Sequence, residues 1–260
     1  MIDTLHLALG GLSGVLVGFA LGLVGGGGSI LAVPLMVYLV GVQNPHVAIG
    51  TSALAVAANA ATGLFQHARA GDVRWRCGLM YATFGVAGAL GGSTLGKSFD
   101  GQKLLFLFAL LMLVVGALML RSRKAEGDPH VRLNRENAPR LMAFGLGTGA
   151  FSGFFGIGGG FLIVPGLIAS TDMMMINAVG TSLVAVTAFG LATAGNYAVS
   201  GLVDWQLAGV FIVGGVAGGL AGTRLSHRLA AGGQLKTVFA LLIFAVAFYM
   251  LYRSGLALWG

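Results

Sequence analysis

Apolar residues run through this chain in long blocks, broken by glycine more often than by charge. Residues 5–24 hold no Asp, Glu, Lys or Arg and carry glycine at 10, 14, 18 and 22. A four-residue period places those glycines on one helix face, where a second helix can approach closely. The run Gly25-Gly26-Gly27-Gly28-Ser29 follows, then Ile30-Leu31-Ala32-Val33-Pro34. Glycine runs cost helix stability, so a break is predicted here, with a short helix over 29–41. About 13 residues span roughly 20 Å. Gln43-Asn44-Pro45-His46 is a turn with a helix-start signal. Apolar blocks at 47–68, 77–96 and 104–120 predict three more helices, joined by a loop at 69–76 and a turn at 97–103. The longest polar segment, 121–140, reads as a linker.

The second half repeats the first. Glycines 14, 18, 22, 25, 27 and 28 fall on 145, 149, 153, 156, 158 and 159, and Pro34 on Pro165, at an offset of 131. At an offset of 130, Gly50-Thr51-Ser52 falls on Gly180-Thr181-Ser182, and Trp75 on Trp205. The second break is Gly156-Ile157-Gly158-Gly159-Gly160, with a short helix at 160–170. The chain therefore divides into a first repeat (1–120), a linker (121–140) and a second repeat (141–260). Such self-similarity is the strongest statement a single sequence makes.

Composition changes the picture from buried helices to membrane helices. Hydrophobic residues are 57% of the 260 and charged residues 9%, with a mean hydropathy of +0.90. A soluble domain carries roughly 25% charged residues. Blocks of this length approach the ~20 apolar residues that cross a bilayer. The fold class is an all-α polytopic membrane protein; the ~10-residue alternating segments of a β-barrel are absent. Met1-Ile2-Asp3-Thr4 lacks the basic start of a signal peptide, so residues 5–24 are expected to be a retained span.

Loop charge then selects a topology. If each break divides two crossings, each half has five spans and the halves are inverted. Twelve basic residues then share one side: Arg69, Arg74, Arg76, six in the linker (Arg121, Arg123, Lys124, Arg132, Arg135, Arg140), Arg224, Arg228 and Lys236. Three lie opposite: Lys97, Lys103 and Arg253. With four spans per half the division is ten against five. The positive-inside rule favours the 5+5 inverted arrangement over 4+4, with a cytoplasmic linker. The short helices are its weak point. The net charge of +7 therefore reflects orientation and does not point to nucleic acid.

Candidate chemistry gathers at the breaks. A helix starting at Ser29 or Gly160 points backbone N–H groups and a positive dipole end inward. Glycine lets an anion reach that backbone, and paired discontinuous helices mark transporter binding sites. The expected binding residues are Gly25, Gly26, Gly27, Gly28, Ser29, Gly156, Gly158, Gly159 and Gly160. The hydroxyls of Thr51, Ser52, Thr181 and Ser182 join them as donors. Asn59 and Asn196 are amides inside apolar spans, costly unless paired; Gln66 and His67 are pathway candidates. For single glycines, close packing competes with binding; for the hydroxyls, bonding to their own helix carbonyls competes.

No acidic residue lies in a predicted span, which disfavours coupling through an intramembrane carboxylate. Cys77 is the only cysteine, so no cysteine cluster exists. HExxH, Walker A and CxxC motifs are absent; no enzyme, metal or cofactor is expected. Trp75, Trp205 and Trp259 sit at span edges as interfacial anchors.

The duplicated Gly-rich break before an apolar-proline run, the paired Gly-Thr-Ser, and Gly-x-Val-x-Trp at 71–75 and 201–205 resemble the TauE/SafE family, over roughly residues 8–253. The resemblance implies a multi-pass transporter in the cytoplasmic (inner) membrane, exporting sulfite, sulfoacetate or related organosulfonates. Ser29 departs from the pattern, since its counterpart is Gly160. The expected partners are a small anionic substrate, the lipid bilayer and a second copy packed through glycine-rich faces. Two alternatives stay open: an ion-coupled importer of the same anions, and a non-transporting membrane scaffold.

Overall fold

The structure, a computed structural model, describes residues 4–121, 127–128, 131–156, 160–231 and 235–259. No strand occurs among them. Helix α1 is Thr4–Val24. The next helix, α2, is composite: a 3₁₀ stretch Gly25–Leu31, an α turn Ala32–Pro34 and a π turn Leu35–Leu39. Then come α3 Pro45–Ala70, α4 Trp75–Lys97, α5 Gly101–Arg121, α6 Ala138–Phe155, α7 Gly160–Thr171, α8 Met175–Val199, α9 Trp205–Ala231 and α10 Leu235–Trp259. The first break thus starts its helix at Gly25, four residues before the predicted start. Tight 3₁₀ winding of the glycines replaces an open loop.

Both breaks reverse the chain. Leu5–Leu39 is one continuous apolar stretch of 35 residues, yet Gly25 takes a left-handed backbone (φ 63°). That conformation suits glycine. Beyond it α2 runs back along α1: Gly28 lies against the backbone of Ala20 and Leu21, and Gly41 lies beside His6. The second break matches, with Gly156 at φ 67° capping α6. Gly166 of α7 lies beside Thr148 of α6, and the Asp172 carbonyl accepts from Asp128 N–H of the linker at 2.8 Å. The 3₁₀ stretch rises about 2.0 Å per residue against 1.5 Å in an α-helix, which lengthens α2. Helix α7, with 12 residues, covers about 18 Å and stays short of the ~30 Å hydrocarbon core.

Glycine stripes pair helices from different halves. Gly14, Gly18 and Gly22 of α1 lie on the backbone of Phe211, Gly215 and Gly219 in α9. Gly145, Gly149 and Gly153 of α6 lie on the backbone of Tyr81, Gly85 and Ala89 in α4. These contacts correspond one to one under the repeat. The glycine faces are thereby covered within the chain. Pairs α3–α8 and α5–α10 also join the halves. Further contacts are reciprocal too. Asp204 N–H donates to Thr51 Oγ1 at 2.9 Å, and Arg74 N–H donates to Thr181 Oγ1 at 2.9 Å.

The turns sort onto two ends. The α3–α4 turn (71–74) packs on the start of α8 through Thr181 and Asn177. The start of α8 follows Met173, which pairs with linker residue Asp128. We call this end the linker face. The opposite end gathers the start of α3, the α4–α5 turn and the end of α8. There Gly101 lies against Pro45, and Lys97 Nζ meets Asn196. Asn44 caps α3 by accepting from His46 N–H at 2.9 Å. The helices Pro45–Ala70, Met175–Val199 and Trp205–Ser226 are long and apolar enough to cross a membrane, as is the Leu5–Leu39 stretch. Shorter apolar helices lie at Gly101–Ala117, Gly160–Thr171 and Ile243–Arg253.

Candidate functional site

The two breaks meet inside the protein. A Cβ on Gly160 would overlap the Gly26 carbonyl, and one on Gly26 would stand 2.7 Å from the Gly160 Cα. Only glycine permits that approach. Gly25 to Ser29 and Gly160 are buried. Gly158 and Gly159 lie outside the described residues.

Serine hydroxyls stitch this junction. Ser29 Oγ donates to the Gly26 carbonyl at 2.8 Å and accepts from Gly160 N–H at 3.3 Å. Ser182 Oγ donates to the Val179 carbonyl at 2.7 Å and accepts from Gly26 N–H at 3.0 Å. Ser52 Oγ donates to the Ile49 carbonyl at 3.0 Å, and Ile49 packs on Gly156. A hydroxyl has one hydrogen. In this conformation each of these serines gives it to its own helix. The N–H groups of Gly26 and Gly160 are held by serine oxygens from the opposite half. An anion entering here would exchange places with those hydroxyl oxygens. Thr51 and Thr181 stand further out, each accepting a turn N–H from the other half.

The amides divide. Asn59 is 3% exposed, and neither its Nδ2 nor its Oδ1 has a hydrogen-bond partner among the described residues. Its side chain lies over Gly215, where a Cβ would collide with it. An unmet buried amide is costly, and such a group marks a place where a ligand or water would bind more tightly than on a satisfied surface. Asn196 is elsewhere, at the end away from the linker. It accepts from Lys97 Nζ at 2.8 Å and donates to Ser93 Oγ at 2.6 Å and Thr94 Oγ1 at 3.0 Å. Gln66 Nε2 reaches the Thr62 carbonyl at 3.4 Å.

His67 is fully buried and its Nδ1 faces Asp72 Oδ2 at 2.8 Å. Its Nε2 stands 3.5 Å from the Gly22 carbonyl, three residues before the first break. Asp72 is the residue that reading the sequence missed. It looks like a loop acid, but Gly71 (φ 81°) caps α3 and folds the chain back. Asp72 N–H then donates to the His67 carbonyl at 3.0 Å, which brings the carboxylate over the imidazole. The signal was His-x-x-x-Gly-Asp: a left-handed C-cap that returns the next side chain to the helix end. Lys97 was missed too, because its partner Asn196 is remote in sequence. No group of three or more His, Cys, Asp or Glu able to hold a metal occurs among the described residues.

The family model described as "Sulfite exporter TauE/SafE" matches residues 10–250. A Xylella fastidiosa protein named "Probable membrane transporter protein" is 54% identical over 99% of this chain and 98% of its own length. Two Bacillus subtilis proteins, the probable membrane transporter proteins YjnA and YdhB, are 30% and 27% identical over 84% and 82% of this chain, and over 89% and 88% of their own. No solved structure matches. The chain belongs to the TauE/SafE family and is a multi-pass membrane protein.

Proposed function

We propose that this TauE/SafE-family protein is a transporter that exports small sulfur-containing anions across the cytoplasmic membrane. Sulfite, sulfoacetate or related organosulfonates are the substrate class, taken from the family's name and the chemistry of the site. The two halves form a 5+5 inverted repeat, and the anion crosses where the breaks meet. One observation carries this reading. Gly26 and Gly160 touch backbone to backbone, with their N–H groups held by serine oxygens of the opposite half. Such a junction opens by small shifts and presents donors to an anion without adding a fixed charge.

The reciprocal Thr51–Asp204 and Thr181–Arg74 bonds support the inverted arrangement, and basic residues on the linker side support a cytoplasmic linker. A cytoplasm-negative potential of 100 mV drives each exported negative charge by about 2.3 kcal/mol, so export needs no coupling ion. Proteoliposomes loaded with sulfite or sulfoacetate test this. Efflux should accelerate when a potassium diffusion potential makes the interior negative. Absence of potential-dependent flux with every sulfur anion would sink this reading and leave the scaffold or the proton-coupled importer. A reporter at Gly260 that is active only in the cytoplasm would sink the ten-crossing topology.

A second reading is favoured by the His67–Asp72 pair. A buried imidazole facing a carboxylate, close to the first break, is equipped to carry a proton, as a proton-coupled importer requires. Uptake that follows an imposed pH gradient, and that His67→Gln removes, would select it.

A further inference from the structure

Beyond the break junction, the linker face holds a cavity of about 340 Å³, lined by Val73, Arg74, Trp75, Arg76, Val131 and Arg132 together with Cys77 and Leu133. Three arginines are among its lining residues and no Asp or Glu is. The Arg74 guanidinium is also held at 3.5 Å from the Gly71 carbonyl and from Asn177 Oδ1. We propose that this cavity is a capture site for a small oxyanion of the sulfate or sulfite class, ahead of the break junction. The role as a capture site rests on the transporter reading; the occupancy does not.

The cavity has a built frame. The Arg74 backbone N–H is fixed to Thr181 Oγ1, and its Nη2 stands 3.5 Å from Asn177 Oδ1. Asn177 Nδ2 in turn donates to the Asp72 carbonyl at 3.0 Å. One wall is therefore pinned to α8 on both sides of Val73. The other wall is the linker, which is locally ordered. Asn134 Oδ1 accepts from the N–H groups of Glu136 and Asn137, and Asn137 Nδ2 donates to the Arg132 carbonyl at 2.9 Å. Buried Val131 anchors Arg132 beside Arg74 and Arg76. Guanidinium forks match the planar edges of an oxyanion and keep their charge at any relevant pH.

The matched place on the opposite end argues against a mere orientation signal. There Asp204 replaces Arg74 and Gln206 replaces Arg76. That turn also borders a concavity of about 180 Å³, but through Val203 and Trp205 and not through Asp204 or Gln206; its other lining residues are Leu54, Leu191, Ala194, Gly195 and Ala198. It holds no charged side chain. The same backbone turn is thus anion-attracting on one end and neutral to acidic on the other. Focused positive charge raises the local anion concentration at one mouth only.

Purified full-length protein in a neutral detergent, titrated calorimetrically with sodium sulfate and with sodium sulfite at constant ionic strength, tests the site. We expect saturable binding that Arg76→Gln with Arg132→Gln weakens at least tenfold. Lys103→Gln with Arg253→Gln, an equal charge change away from the cavity, should weaken it less than twofold. Unfolding temperatures without sulfate report whether the variants fold. Equal weakening by both pairs, or no saturable binding to the parent protein, overturns the proposal. So does complete loss of sulfate binding in nanodiscs containing phosphatidylglycerol, which would make this a lipid headgroup site. Flux in the proteoliposome assay with no sulfate binding would reject the capture site and leave the transporter reading standing. Binding without flux would reject the transporter reading, and the capture role with it, and leave an oxyanion site alone.

Discussion

Gly85 and Gly215 occupy matched places in the two halves, and each leaves a slot beside a central helix. Phe189 of α8 fills the slot at Gly85, with its ring stacked on Tyr81 at 6.4 Å between centroids. The Tyr81 hydroxyl is satisfied in turn by Thr148 Oγ1 at 2.8 Å, and Thr148 donates to the Phe144 carbonyl at 2.7 Å. Asn59 of α3 fills the slot at Gly215, and its amide has no hydrogen-bond partner among the described residues. One slot is closed by apolar contact and the other holds unmet hydrogen-bonding capacity at equal depth. The glycine seams fix the scaffold in both halves alike. Chemistry enters where the side chains of the two halves differ.

The largest expected effect comes from making the slots alike in the wrong direction. Phe189→Asn removes a buried ring and leaves a second unmet amide. Losing a buried aromatic costs about 4 kcal/mol, and the amide adds to it. The unfolding temperature in detergent should fall steeply, or the protein should fail to accumulate. A shift of only a degree or two would mean that the Phe189 slot is not close-packed.

The converse change sharpens the comparison, because stability and function should separate. Asn59→Leu keeps the branched shape and removes both unmet polar atoms. It should stabilise the resting protein by about 2 kcal/mol, the cost of leaving such a group unsatisfied. Anion flux should fall at the same time, since the amide would contact the passing substrate. A lowered unfolding temperature would mean that Asn59 is structurally satisfied. Unchanged flux would remove Asn59 from the pathway.

Reading the sequence went far on the scaffold because glycine spacing carries geometry. A stripe at 14, 18 and 22 says which face of α1 is approached. It does not say by what, and the partner proves to be α9 of the other half. The positive φ at Gly25 and Gly156 falls at the predicted breaks, since glycine is the residue that adopts it cheaply. The helix start was misplaced because nothing in Gly-Gly-Gly-Gly-Ser distinguishes a loop from a 3₁₀ turn. The site was less legible. Ser29, Ser52 and Ser182 sit at or beside the junction, yet where each hydroxyl hydrogen goes depends on which carbonyl lies three residues back in the folded helix. Asn59 and Asn196 look equivalent in sequence. Burial and Lys97 separate them.

The smallest effect is also the most discriminating, because it sets two equal bonds beside two unequal charges. Thr51→Val and Thr181→Val each remove one hydroxyl that accepts a turn N–H from the opposite half, at 2.9 Å in both cases. The N–H left behind is partly buried, so each variant should cost about 1 kcal/mol. The two unfolding temperatures should fall together. Anion binding should not follow suit. Loosening the Thr181 contact frees the turn that carries Arg74 at the linker-face cavity, whereas loosening Thr51 frees the turn that carries Asp204. Sulfate affinity should therefore weaken about threefold in Thr181→Val, roughly 0.6 kcal/mol, and stay within error in Thr51→Val. Equal losses of affinity would show that the two ends of the molecule are alike for an anion. Unequal losses of stability would show that the two bonds are not counterparts at all.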